Sequence, residues 1–135
     1  IMGYPIIDLD NFFTDINLYL RKLEEVIINT LKHYDLNGFT IEGETGVWVK
    51  DNNNLIKKIC AFGIRASRWV TMHGFCFNVC PNLSHYEHII PCGISDKGIT
   101  SLKDLKKSEI DFDEVKNLIL KNFEVSFNAK LILDN

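Results

Sequence analysis

The residue of this chain best suited to covalent chemistry is Cys92, in the run His88-Ile89-Ile90-Pro91-Cys92-Gly93. A thiolate is the strongest common side-chain nucleophile. It forms readily only where a cation, a histidine or backbone N–H groups pull the thiol pKa below roughly 8.5. Pro91 fixes one side of the turn, and Gly93 leaves room for backbone N–H groups to approach an acyl oxygen. The plainer reading is a half-buried cysteine at a strand end. The cations and bases on offer are Lys57, Lys58, His73, His85 and His88. On a regularly alternating strand Lys58 shares one face with Cys60, Phe62 and Ile64, and Lys57 points to the other. Apolar surface beside Lys58 would lower its pKa and suit it to proton transfer. The competing reading is an exposed lysine at a strand entrance.

A metal site is the rival chemistry. His73, Cys76, Cys80, His85, His88 and Cys92 lie in one short region, and zinc takes four such ligands. No Cys-x-x-Cys pair is present, however, and alternation sends His73 away from Cys76 and Cys80. No metal is therefore expected. Cys60, Cys76 and Cys80 read as small core residues, and His85 and His88, flanking Tyr86, as loop surface. Glu24-Glu25 next to Arg21-Lys22 reads as an ordinary solvated helix face.

These groups need elements to hold them. Residues 2–9 (MGYPIIDL) read as a strand. Over residues 12–34 the apolar positions 13, 16, 20, 23, 27, 31 and 34 follow helical spacing, with Asp10 or Asn11 as the cap and Asn37-Gly38 as the stop. FTIEG (39–43) and GVWVKD (46–51) are two short strand candidates on either side of a Glu44-Thr45 corner. KKICAFGIRAS (57–67) and WVTMHGFCFNVC (69–80) are longer strands, joined tightly enough to pair antiparallel. Residues 81–90 read as a loop with a helical turn, and PCGISDKGITSL (91–102) as glycine-rich and turn-forming. Residues 113–123 read as a helix starting near Asp111 or Phe112, and 124–133 as a last strand or an extended tail. The fold class is α+β: a mostly antiparallel, mixed sheet packed with helices.

Composition sets the bounds. With 135 residues, one domain spanning 1–135 is expected. A net charge of -3 gives no basic field, so no nucleic-acid partner is expected. No apolar run approaches the roughly 20 residues of a membrane helix, so no membrane partner is expected either. No signal peptide opens the sequence. Four cysteines are too few for a disulfide scaffold, which implies reduced thiols and an interior or matrix compartment.

Taken together, GYPIIDL, TGVWVKD, KICAFGIRASRWVTMHGFCFNV and IIPCGISDKGITSL resemble the lipoyl(octanoyl) transferases of lipoate synthesis. The resemblance runs from about Gly3 to Leu102 and rests on the order and spacing of all four segments. It implies the catalytic-domain fold of biotin and lipoate protein ligases. It implies an enzyme that moves an octanoyl chain from acyl carrier protein to a lysine of a lipoyl domain. The acceptors implied are 2-oxoacid dehydrogenase E2 subunits and the glycine cleavage H protein. In the family the cysteine of PCG carries the acyl group as a thioester, here Cys92, and the lysine of the K-I strand lowers its pKa, here Lys58, with Ile59 fixing the register. Ala61, Phe62, Gly63, Gly74, Phe75 and Cys76 match the family's acyl-substrate contacts, and His73 matches the histidine of its HG pair. No cofactor is implied, because thioester exchange is close to energy-neutral. The six CH₂ groups of an eight-carbon acyl chain, at about 0.8 kcal/mol each, give roughly 5 kcal/mol of gross binding, with Phe62 and Phe75 as plausible lining. Arg65, Arg68, Lys97 and Lys103 are candidates for a basic rim facing an acidic carrier protein. The family works in bacterial cytoplasm, mitochondria and plastids, and a monomer is expected.

The family also has an N-terminal part, with an arginine-glycine-glycine segment and a histidine-glycine-proline-glycine segment, that is expected to be missing here. Two alternatives follow. One is a lipoate or biotin protein ligase-like enzyme, which activates a free acid with ATP and needs no nucleophilic cysteine. The other is a truncated, non-catalytic module that binds a lipoyl domain or carrier protein.

Overall fold

A computed structural model describes residues 1–82 and 98–132 of the chain. Its elements, in order, are β1 (Met2–Gly3), a 3-10 turn (Leu9–Asn11), α1 (Ile16–Lys32), β2 (Val47–Lys50), β3 (Ile56–Ser67), β4 (Val70–Phe77), β5 (Gly98–Ile99), α2 (Leu102–Lys106) and α3 (Phe112–Phe127). Four strands lie in the order β1-β4-β3-β2, all antiparallel, and β5 pairs parallel with β3. The mixed, mostly antiparallel sheet with helices is the α+β class expected from the sequence. No helix among the described residues is long and apolar enough to cross a membrane.

The expected long helix forms, but inside narrower limits. Asp15, not Asp10 or Asn11, caps α1: its carboxylate accepts from the N–H groups of Asn17 and Leu18 at 2.9 and 3.0 Å. Residues 9–11 are taken by the 3-10 turn, which Asp8 caps. At the other end Asp35, at φ 57°, turns the chain left-handed before Asn37-Gly38 is reached, and Leu36 N–H returns to the carbonyl of Leu31. Tyr19, Leu23, Val26, Ile27 and Leu31 point from α1 into the core with no exposed surface. Each is worth roughly 1.5–3 kcal/mol of burial.

Three other expectations are corrected. Only Met2–Gly3 of the 2–9 segment is a strand. Pro5 has no N–H to give a ladder, and the chain instead straps across β4, held by Thr71. The Thr71 hydroxyl donates to the carbonyl of Pro5 at 2.9 Å and accepts from Ile7 N–H at 2.8 Å. FTIEG is not a strand: it contributes one bridge, Phe39 to Trp48, and then turns at Glu44. Residues 124–127 continue α3 rather than forming a strand. Asn128, at φ 49°, ends the helix, and no strand follows among the described residues.

The short helix α2 was not anticipated. Ser101 Oγ accepts from Asp104 N–H and donates to the Asp104 carboxylate at 2.7 Å, a local cap at the end of the segment read as turn. The core lies between the sheet and the α1–α3 pair, with Val47, Val49, Ile59, Cys60, Phe75 and Phe77 from the sheet and Val115, Ile119 and Phe127 from α3.

Candidate active site

Lys58 sits where β3 is flanked on both edges. It pairs with Trp48 of β2 on one side and with Ile99 of β5 on the other. The register between β2 and β3 slips by one residue here: Val47 opposes Cys60 and Trp48 opposes Lys58, so Ile59 is the extra residue of a β-bulge. Ile59 and Cys60 are therefore both turned into the core, with no exposed surface. The bulge overturns the expected alternation. Lys58 does not share a face with Cys60, Phe62 and Ile64. It lies on the opposite, outer face with Trp48, Ala61 and Gly63.

On that face the ammonium is held from two directions. Its Nζ donates to the carbonyl of Thr45 at 3.2 Å and lies 4.5 Å from the centre of the Trp48 ring, a cation–π distance. Lys57 points away and pairs with Asp51 at 3.0 Å.

The hairpin β3–β4 sets the other predicted residues in cross-strand rows: Ala61 opposite Cys76, Phe62 opposite Phe75, Gly63 opposite Gly74 and Ile64 opposite His73. Ala61 and Gly63 are exposed, and no described residue lies within 4 Å of where a Gly63 Cβ would stand. Phe62 and Phe75 pack on each other at 5.9 Å between ring centres, on the core side, away from Lys58. The structure thus brings Ala61, Gly63, Gly74 and Cys76 onto the face of Lys58 and puts the two phenylalanines behind it. His73 is exposed and holds φ 64° within a strand, a conformation L-residues occupy at some cost, and one that tends to mark working sites. Burial pushes the Cys60 thiol well above its usual value, so it is an inert core residue. No group of metal-ligating side chains occurs among the described residues.

Cys92, His85, His88 and Lys97 lie outside the described residues. In sequence, Cys92 stands six residues before Gly98, and Gly98 pairs with Lys57 next to Lys58. Of the rim candidates, Arg65 and Arg68 are exposed, whereas Lys103 is paired with Glu109 at 2.9 Å.

One residue of this region was misread from sequence. Glu24 is not on a solvated face: it is 1% exposed. It is ion-paired with Arg21 and accepts from Gly46 N–H at 3.2 Å. Burial raises its pKa, with the Gly46 N–H and Arg21 acting in the opposite sense. Its i,i+3 partner Arg21 mimics a surface pair, and only the fold of the Thr45-Gly46 loop over it reveals the burial.

The described residues also hold an apolar groove of about 540 Å³, between the N-terminal strap and α3, lined by Met2, Tyr4, Ile6, Phe112 and Leu120 among others. Neither Lys58 nor Trp48 lines it.

The architecture is that of a known class of catalytic domain. A bi-partite lipoate protein ligase from Thermoplasma acidophilum superposes with a TM-score of 0.73 at 16% identity, over 97% of this chain and 51% of that one. A biotin protein ligase from Aquifex aeolicus, solved with biotin and ATP, superposes with a TM-score of 0.68 at 17% identity, over 93% of this chain and 48% of that one. At these identities the likeness is one of fold. The family itself is given by sequence: residues 1–124 match the lipoyl protein ligase A/B catalytic domain, and the chain belongs to that family. Among curated relatives, the octanoyltransferase of Christiangramia forsetii is 54% identical over 132 residues, which is 97% of this chain and 56% of the relative. That of Flavobacterium johnsoniae is 53% identical over 133 residues, 98% of this chain and 57% of the relative. The chain spans a little over half the length of these relatives.

Proposed function

We propose that the protein is an octanoyltransferase of lipoate synthesis, carrying its acyl group on Cys92 with Lys58 as the proton-handling partner. The observation that supports this most directly is the lysine. The bulge, the Trp48 ring and the Thr45 carbonyl hold Lys58 on an outer face beside open, side-chain-poor strand at Ala61 and Gly63. Identity above 50% to octanoyltransferases across this stretch supports the same reading.

The chemistry balances without a cofactor. The Cys92 thiolate, paired with the Lys58 ammonium, attacks the carbonyl carbon of octanoyl-acyl carrier protein. The C–S bond to the carrier breaks, and Lys58 gives its proton to the departing carrier thiolate. The acyl chain is now a thioester on Cys92, and Lys58 is neutral. The amine of a lipoyl-domain lysine attacks that thioester and the amide bond forms. Cys92 leaves as thiolate, and Lys58 takes the amine's proton, which restores the starting ion pair. The acceptors are lipoyl domains of 2-oxoacid dehydrogenase E2 subunits and the glycine cleavage H protein.

The test is intact mass after incubating the full-length protein with octanoyl-acyl carrier protein. A gain of one octanoyl group, labile to hydroxylamine and absent in Cys92→Ala, is the expected result. A gain that persists in Cys92→Ala would reject the assignment. So would labelling that requires ATP and free octanoate, the pattern of a ligase.

The slot for the acyl chain has its own test. If the chain lies over the Ala61–Gly63 strip, Gly63→Leu projects into open space and folds normally. Transfer then falls by roughly a hundredfold, because three or four CH₂ groups at about 0.8 kcal/mol each lose their burial. Leu120→Gln, in the groove beside α3, leaves the rate unchanged. The reverse pattern, read from steady-state transfer rates, would move the slot to the groove.

A further inference from the structure

Among the described residues, Glu24 is a buried charge that the reaction scheme does not use. Its carboxylate faces Gly46, and Gly46 is the second half of a single peptide group whose first half carries the Thr45 carbonyl. A trans peptide is planar, with N–H and C=O pointing in opposite directions. In the Thr45–Gly46 unit the N–H goes to Glu24 at 3.2 Å, and the C=O receives Lys58 Nζ at 3.2 Å. The helix side and the outer side of the sheet are thus joined through one rigid plane.

Gly46 makes that plane possible. It holds φ 143°, and a Cβ there would stand 3.0 Å from Lys58 Cε and 3.0 Å from the Cys60 carbonyl. With no side chain at this position to restrict it, the peptide's direction depends on what its N–H is bonded to. A carboxylate in that role also polarises the peptide, which strengthens the carbonyl as an acceptor for the ammonium. Arg21, half-exposed, occupies the other oxygen of Glu24 and leaves Oε1 to Gly46.

We propose that Glu24 is a positioning residue for Lys58, acting through the Thr45–Gly46 peptide. This rests on the reading of Lys58 as the partner of the thiolate. When the carboxylate is lost the peptide rotates about Gly46, the Thr45 carbonyl leaves the ammonium, and Lys58 is held by the Trp48 ring alone.

The experiment compares Glu24→Leu, Glu24→Gln and Lys58→Met in the full-length protein, measuring kcat, KM for octanoyl-acyl carrier protein, the pH profile of kcat and the thermal midpoint. Leucine keeps the buried volume, and Arg21, half-exposed, is left facing solvent rather than as a buried charge; the thermal midpoint reads the cost of the unpaired Gly46 N–H, and Glu24→Met serves if the leucine variant does not fold. For Glu24→Leu the expected result is a fall in kcat of about tenfold or more with KM within about twofold, the signature of a misplaced reacting group rather than lost binding. Its pH profile moves in the same direction as that of Lys58→Met. Glu24→Gln keeps an oxygen for Gly46 N–H and recovers most of the rate. An unshifted profile in Glu24→Leu overturns the proposal, as does a glutamine variant no better than leucine. A Lys58→Met profile that does not move removes the parent reading, and this inference falls with it. A moving Lys58→Met profile beside an unmoved Glu24→Leu one removes only the role of Glu24.

Discussion

Lys58→Met is expected to slow octanoyl transfer by roughly ten- to a hundredfold at pH 7, and to move the pH optimum upward. Methionine keeps an unbranched stem of similar length over the Trp48 ring and removes only the ammonium. The sign follows from the proposed ion pair: an adjacent cation would favour the thiolate and lower the thiol pKa, so removing it would return Cys92 toward roughly 8.5. Less thiolate is then present at neutral pH, and the deficit shrinks as the pH rises. Lys58→Arg keeps the charge and retains part of the thiolate effect, but its planar, permanently protonated fork cannot take the amine's proton in the second half-reaction. Arginine should therefore form the acyl-enzyme faster than methionine and still pass it on slowly. The measurement is the single-turnover rate of each half-reaction across pH, read by intact mass. Equal rates for the wild type and Lys58→Met at pH 7 would remove Lys58 from the mechanism.

Lys58 could be singled out in the sequence, but its environment could not be read there. Period-two alternation puts Lys58 with Phe62 and Ile64, and nothing in KKICAFG marks Ile59 as an extra residue. The bulge is set by pairing with β2, where Val47 takes Cys60 and Trp48 takes Lys58, and a strand read alone cannot show its partner's register. Glu24 failed for a related reason. An acidic residue three positions from an arginine on an amphipathic helix looks solvated, and only the Thr45-Gly46 loop folded over it makes it buried.

The helices show the opposite balance. The stripe of α1 was readable because its buried positions, Glu24 and Thr30 apart, are apolar, and the error in its bounds was confined to its ends. The stripe of α3 was broken in sequence by Asn122 and Ser126, both on the buried side. Asn122 is accommodated because its amide donates to Thr30 Oγ1 at 3.1 Å, and that hydroxyl donates to the Val26 carbonyl at 2.8 Å. The last turn is fixed by Phe127 stacking on Phe123 at 4.3 Å between ring centres, an i,i+4 pair the strand reading overlooked. For α2 the signal was present: Ser101 followed three residues later by Asp104 is a capping pattern. The glycines before it drew the reading toward turns.

Gly74→Ala carries the largest expected cost to the fold, and the reason is backbone rather than side chain. A Cβ on Gly74 would stand 2.0 Å from the Gly3 carbonyl oxygen and 2.9 Å from Pro5 Cδ, so the strap of residues 1–7 has to lift off β4 to admit a methyl group. That strap is not free to move. The Pro5 carbonyl accepts from both Tyr19 and Thr71 hydroxyls at 3.1 and 2.9 Å. Thr71 N–H donates to Ile7, and Phe77 N–H donates to Ile1 at the far end. Lifting it leaves a buried Thr71 hydroxyl unpaired and uncovers Phe75, so a loss of about 3 kcal/mol or more is expected. For a chain of this size that corresponds to a thermal midpoint lower by roughly 10 °C or more. Gly63→Ala, directly across the ladder, is the control, because its Cβ meets no described residue within 4 Å. It should leave the midpoint unchanged or raise it slightly, since alanine gives up less conformational freedom on folding. Circular dichroism melts of the two variants separate a hairpin pinned by the strap from one that merely tolerates it. A Gly74→Ala midpoint level with that of Gly63→Ala would mean that the strap moves aside at little cost, and that the N-terminal segment does not hold the β3–β4 hairpin in register.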